Sequence, residues 1–170
     1  MSDAIIANVL RFIGLFLVQV LILKNIDINT SYVNLYIYPL LLIMLPIRIN
    51  KLALLFIAFF LGLLVDLFYM TPGVHAAASV LIAFLRPALC DAMEPRGGYN
   101  QNHSPNKYNF GMGWFLQFSS ILMFIHLLTV FLLEVFTLAD IGDVIIRLFF
   151  SYILSMLLII THQYIFNPKT

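Results

Sequence analysis

The chain has 170 residues, of which 62% are hydrophobic and 10% charged, with a formal net charge of +1 and a mean hydropathy of +1.00. A soluble domain carries charge on about a quarter of its residues, so this composition leaves too little polar surface to face water and implies a covering of lipid. The charge balance offers no basic stripe for nucleic acid, and the single cysteine, Cys90, excludes an intramolecular disulfide.

A helix crossing hydrocarbon needs about 20 apolar residues, and the chain is predicted to fold as one transmembrane domain, an all-α bundle of six spans over residues 1–170. The first covers residues 5–23 and ends at Lys24-Asn25. The first ten residues carry Asp3 and no Lys or Arg, and no small-x-small cleavage site follows, so it reads as a retained span and not a signal peptide. The second, residues 33–47, is short and contains Pro39 and Pro46; it is predicted to be kinked, tilted or partly re-entrant. A charged turn of Arg48, Asn50 and Lys51 follows.

The third span, residues 52–70, is interrupted only by Gly62 and Asp66. Thr71-Pro72-Gly73 comes next, with Thr71 placed as an N-cap and Pro72 at the first helical position. The fourth span, residues 74–90, therefore folds back as the antiparallel partner of the third. Residues 91–111 are rich in Gly, Pro and Asn and lack periodicity, which predicts a mobile cytoplasmic loop. The fifth and sixth spans, residues 113–137 and 144–166, flank the acidic turn at 139–143.

Basic residues orient the bundle. With the N-terminus in the cytoplasm, Arg11, Arg48, Lys51, Arg86, Arg96, Lys107 and Lys169 fall on or near the cytoplasmic side, against only Lys24 and Arg147 outside. This positive-inside bias predicts that both termini are cytoplasmic. Tyr32, Tyr36, Tyr38 and Tyr69 are then expected at the outer interface, and Trp114 and Tyr164 at the inner one.

Ionisable and polar residues inside hydrocarbon call for a partner or a task. Asp66 lies about one turn from the outer end of the third span, and His75 opens the fourth across a tight turn, which brings the two side chains within reach. The pair reads either as a binding surface or as a clasp locking the hairpin, with Asp66 helped by donors at the N-terminus of the fourth helix. Gly73, Ala76, Ala77, Ala78, Ser79 and Ala83 give that helix a small-residue surface, suited to internal packing or to docking of another protein's helix. Arg86, beside Pro87, is expected to satisfy nearby backbone groups or to snorkel toward lipid phosphate.

Glu134 and Arg147 are placed to form a salt bridge near the outer face, and His126 to be a neutral, hydrogen-bonded imidazole at mid-span. No clustered metal-ligand set, phosphate loop or nucleophile elbow is present in the sequence, so neither a cofactor nor a catalytic role is expected.

The stretch from Gly62 to Pro87 is more specific. Gly62-x-x-x-Asp66 on one helix, then Gly73-x-His75-Ala76 opening the next and Phe84-Leu-Arg86-Pro87 near its end, resembles the rod shape-determining protein MreD family, in its Bacteroidota-type form. Gln19, Tyr38-Pro39 and the chain length fit as well. The resemblance implies a non-catalytic component of the bacterial inner membrane that binds the bitopic protein MreC. Through MreC it would reach MreB, RodA and the elongation-specific penicillin-binding transpeptidase, helping to organise peptidoglycan synthesis. It also implies a six-helix architecture like that of the substrate-binding subunits of energy-coupling-factor transporters. On this reading Asp66, Gly73, His75, Ala76, Ala77, Arg86 and Pro87 form the partner-binding or structural polar site. The alternative is a substrate-binding subunit of a vitamin-type transporter, although the predicted outer loops are short and Gly14 stands alone on the first span.

Overall fold

The computed structural model describes residues 12–25, 33–95, 97–99, 103–135 and 141–166. The expectations for Asp3, Arg11, Tyr32, Arg96 and Lys169 lie outside these residues, as do the start of the first span and the end of the fifth. Among the described residues the fold is helical, with no strand. Helix α1 is Phe12–Asn25, α2 is Pro39–Ile43, α3 Lys51–Tyr69, α4 Val74–Ala92, α5 Lys107–Phe110, α6 Met112–Val135 and α7 Ile141–Ile165. Four of them, α3, α4, α6 and α7, are long and apolar enough to cross a membrane. Their outer faces carry exposed Leu52, Phe56, Phe60, Leu67, Phe84, Phe149 and Leu157, more apolar surface than water tolerates on a monomer. The protein is a membrane-embedded helical bundle.

Helix α4 lies at the centre, packed most extensively on α3 and then on α6, which in turn contacts α7. Asn50 starts α3 by accepting hydrogen bonds from the Leu52 and Ala53 N–H groups at 2.8 and 3.4 Å, the usual task of an Asn N-cap. At the far end Met70 takes a left-handed conformation, φ 57°, and stops the helix. The two backbones then come into direct contact: a Cβ on Gly62 would lie 2.5 Å from Ala76 Cα and 2.6 Å from the His75 carbonyl oxygen.

The second predicted span departs most from expectation. Only Pro39–Ile43 is helical; residues 33–37 form neither helix nor strand, and everything from Tyr36 to Met44 is buried. Helix formation fails because Pro39 and Pro46 each remove a backbone donor. The segment is instead enclosed by α3, α4 and α6 and paired along α7. Asn34, Tyr36 and Met44 meet Ser151, Ser155 and Gln163 in that order, so it runs parallel to α7 for roughly 18 Å at 1.5 Å per helical residue. Tyr36 and Tyr38, expected at the outer interface, are therefore core residues, 1% and 0% exposed.

After α4, residues 97–99 and 103–111 pack against the helices. Tyr99 donates its hydroxyl to the Cys90 carbonyl at 2.8 Å, and the Trp114 indole N–H donates to the Met93 carbonyl at 2.8 Å. Phe110 and Phe118 both pack on Trp114, each with ring centroids 4.8 Å away. The His103 carbonyl accepts the Ile47 N–H at 3.2 Å, and Lys107 sits 3.8 Å over the Tyr164 ring. Aromatic packing holds these described parts of the loop despite its Gly- and Asn-rich composition. Burial, and then the neighbouring Cys90, push the Tyr99 hydroxyl up to about 12.

Two outcomes follow from this packing. Gly62→Ala should lower stability by about 1–3 kcal/mol through overpacking, whereas Gly142→Ala, whose Cβ would meet nothing within 4 Å, should leave it unchanged or raise it; thermal unfolding in micelles compares them. Because the Tyr99 value is raised, loop docking keeps its full contribution below about pH 10 and loses it as pH climbs toward 12. Emission from Trp114, the only tryptophan, should stay constant from about pH 6 to 9, move red above about pH 10 and already be red-shifted in Tyr99→Ala.

Candidate functional site

A non-helical backbone inside a bundle exposes N–H and C=O groups that find no water, and each must be satisfied by protein. Here side chains from three helices supply the bonds. The Gln19 amide donates to the Leu35 carbonyl at 2.9 Å, and its oxygen accepts from Ile37 N–H at 2.8 Å and Tyr38 N–H at 3.4 Å. Gln19 sits within a widened π-type turn of α1, Val18–Ile22, a local distortion common where a helix side chain is specially aimed. It also donates to the Tyr69 hydroxyl at 2.6 Å. Ser151 and Ser155, four apart and hence on one face of α7, accept from Asn34 N–H and Tyr36 N–H at 2.9 and 3.0 Å.

Arg86 serves the other end of the same segment. Its guanidinium donates to the carbonyls of Ile43, Leu45 and Pro46, the groups left open where α2 ends. The side chain is 1% exposed, so of its two expected roles Arg86 takes the first, satisfying nearby backbone groups, and does not snorkel to phosphate. Pro87 remains inside α4, which runs on to Ala92.

Asp66 is a tertiary helix cap. Its two oxygens accept four bonds, from the Thr71 hydroxyl at 3.0 Å and from the N–H groups of Gly73, His75 and Ala76 at 3.1, 2.9 and 3.0 Å. A carboxylate against the first amides of a helix is favoured by hydrogen bonding and dipole together. Of the two readings the clasp is the one present, and the side-chain pair with His75 is absent: Asp66 binds the His75 backbone, and the imidazole turns inward. Thr71 does not cap α4 and Pro72 is not its first residue. The helix begins at Val74 behind Gly73, whose φ of 89° suits glycine, and Thr71 is spent on Asp66.

The inward imidazole meets residues that sequence alone did not bring together. The Tyr38 hydroxyl lies 3.0 Å from His75 Nδ1 and 2.6 Å from His126 Nε2. All three side chains are fully buried. His126 matches its expected role as a hydrogen-bonded core imidazole, but its partner on a supposed interfacial tyrosine was unforeseen. The available signals were the Tyr36-Ile-Tyr38-Pro39 run inside an apolar stretch and the serine pair spaced four apart on α7.

The small-residue surface of α4 is divided. Ala76, Ala78, Ser79 and Ala83 are buried against neighbouring helices, and Ala77 faces outward. Ala76 and Ala77 together with Gly73 line an apolar groove of about 610 Å³ between α3 and α4, walled by Leu55, Phe59, Leu81 and Phe84. Elsewhere Arg147 approaches Glu134 at 3.9 Å, the expected bridge. Among the described residues no group of three His, Cys, Asp or Glu side chains is placed to hold a metal.

Replacing Gln19 with Leu strands the Ile37 and Tyr38 N–H groups and the Leu35 carbonyl, whereas Ser155→Ala strands only the Tyr36 N–H. At about 1–3 kcal/mol for each buried orphan, Gln19→Leu should lower the thermal unfolding temperature roughly two to three times as far. Equal losses would mean that Gln19 does not hold the unwound segment. No family model, curated protein or solved structure matches the chain.

Proposed function

We propose that this protein is a non-catalytic scaffold of the bacterial cell-elongation machinery, of the MreD kind, which binds the transmembrane helix of MreC in the inner membrane. On this reading the unwound segment counts as a crossing, so that α1, residues 33–47, α3, α4, α6 and α7 make six passes with both termini cytoplasmic. The architecture then parallels that of energy-coupling-factor substrate-binding subunits.

The observation that carries the proposal is the fate of the family-like residues. Gly62, Asp66, Gly73, His75 and Ala76 each take part in one device, the locked α3–α4 hairpin. The outer wall of that hairpin is the groove floored by Gly73, Ala76 and Ala77, where small residues let a partner backbone approach closely. A carrier subunit is less well supported. Unwound segments do mark substrate sites in transporters, yet here the backbone groups are taken up by Gln19, Ser151, Ser155 and Arg86, and the residues from Tyr36 to Met44 fill the space between helices.

Affinity capture of MreC from detergent-solubilised membranes tests the scaffold. Ala77→Phe, at an exposed position, should reduce capture by about tenfold, equivalent to ~1.4 kcal/mol, while Phe149→Ala on the far face of α7 should not. Undiminished capture by a correctly inserted Ala77→Phe protein would remove the groove as the binding surface. Ala78→Phe is unsuitable because Ala78 is 0% exposed.

A further inference from the structure

We propose that Tyr38, His75 and His126 form a binding site for a single proton, shared between the two imidazoles through the phenol. The argument starts from hydrogen counting. A tyrosine hydroxyl has one proton, and a neutral imidazole has one N–H and one bare nitrogen. With Tyr38 oxygen 3.0 Å from His75 Nδ1 and 2.6 Å from His126 Nε2, the phenol donates to one ring and accepts from the other. The two rings therefore hold opposite tautomers.

The far nitrogens complete the site. His75 Nε2 and His126 Nδ1 are buried and have no hydrogen-bond partner among the described residues, so in either arrangement one is bare and the other carries a hydrogen. An added proton bonds to the bare nitrogen and makes that ring an imidazolium while both bonds to Tyr38 persist. A second proton would leave both rings as donors toward the phenol, whose own hydrogen would lose its acceptor. The triad accommodates one proton and resists two.

The charge can also be shared. When His126 Nδ1 gains a proton, its Nε2 hydrogen passes to the Tyr38 oxygen, and the phenol hydrogen passes to His75 Nδ1. His75 is then the imidazolium and His126 is neutral. If His75 Nε2 afterwards loses its hydrogen, one proton has entered and one has left, both rings have exchanged tautomers, and Tyr38 now donates to His126. The rings lie 6.5 Å apart and nearly parallel, with the phenol between them.

The charged groups around the triad are of both signs. From α3, the Asp66 carboxylate accepts the His75 N–H at 2.9 Å, and the Tyr69 ring lies 5.1 Å from the His75 ring. From the unwound segment, Tyr36 stands 5.3 Å from His75 and 6.4 Å from His126. Beyond it Glu134 of α6 and Arg147 of α7 face one another, and α1 contributes neutral Gln19, bonded to Tyr69, and the Lys24 ammonium, 6.0 Å from the centre of the Tyr69 ring. Asp66 is the carboxylate nearest to the triad among these groups, and its lone pairs are directed at the helix that carries His75.

Nitrogen-15 NMR of histidine-labelled full-length protein in lipid nanodiscs tests the site from about pH 8 to about pH 4. The chain has four histidines, and His103→Gln and His162→Gln assign the two outside the triad. The expected result is opposite tautomers for His75 and His126 at the alkaline end, then uptake of one proton by the pair, with both rings following a single curve. Tyr38→Phe should split that curve in two, with Trp114 emission reporting whether the fold is kept. Identical tautomers, two independently titrating rings, or no titration in the native protein would each overturn the proposal, whether or not Tyr38→Phe folds.

Discussion

An unsatisfied backbone amide in a water-free interior costs more than most side-chain contacts return, and the architecture of this bundle is organised around that constraint. Residues 33–38 are not helical, so their N–H and C=O groups cannot bond to one another as a helix would. They survive because Gln19, Ser151 and Ser155 reach them from α1 and α7, and because Arg86 takes the carbonyls at the other end. A chain with this composition has few polar side chains to deploy, and a large share of those inside the bundle serve this one segment.

The α3–α4 hairpin is the second fixed element, and it fixes α4 in two ways. The Gly62 contact sets how closely the helices approach, and Asp66 sets where α4 begins by binding its first free amides. Because the cap belongs to a neighbouring helix and not to the preceding turn, the start of α4 is coupled to the position of α3. That coupling places the His75 imidazole inside the bundle and Ala77 outside it. Interior chemistry and exterior groove are thus two faces of one arrangement.

Tyr38 connects these parts. Its backbone N–H is held by Gln19, and its hydroxyl lies between α4 and α6 through His75 and His126. A change in how the unwound segment sits would therefore be felt at both helices, and a change in the charge of the histidine pair would be felt by the segment. At the other end of the segment the docked loop, through Tyr99, Trp114 and His103, closes over the same elements.

The sequence by itself determined the class of solvent, the long apolar helices α3, α4, α6 and α7, the tight turn between α3 and α4, and the Glu134–Arg147 bridge. These depend on composition and on neighbours close along the chain, where apolar run length and helical spacing carry the information. Tertiary structure decided that Tyr36 and Tyr38 are core residues, that Arg86 binds carbonyls instead of phosphate, that of its two expected roles Asp66 takes the clasp, and that residues 97–99 and 103–111 pack in place. The first two outcomes join groups distant in the chain, as Asn34 joins Ser151 and Arg86 joins Leu45. The physical reason is the same throughout: a polar group in hydrocarbon takes whichever partner the packed helices bring within reach, and periodicity along the chain does not encode which one that is.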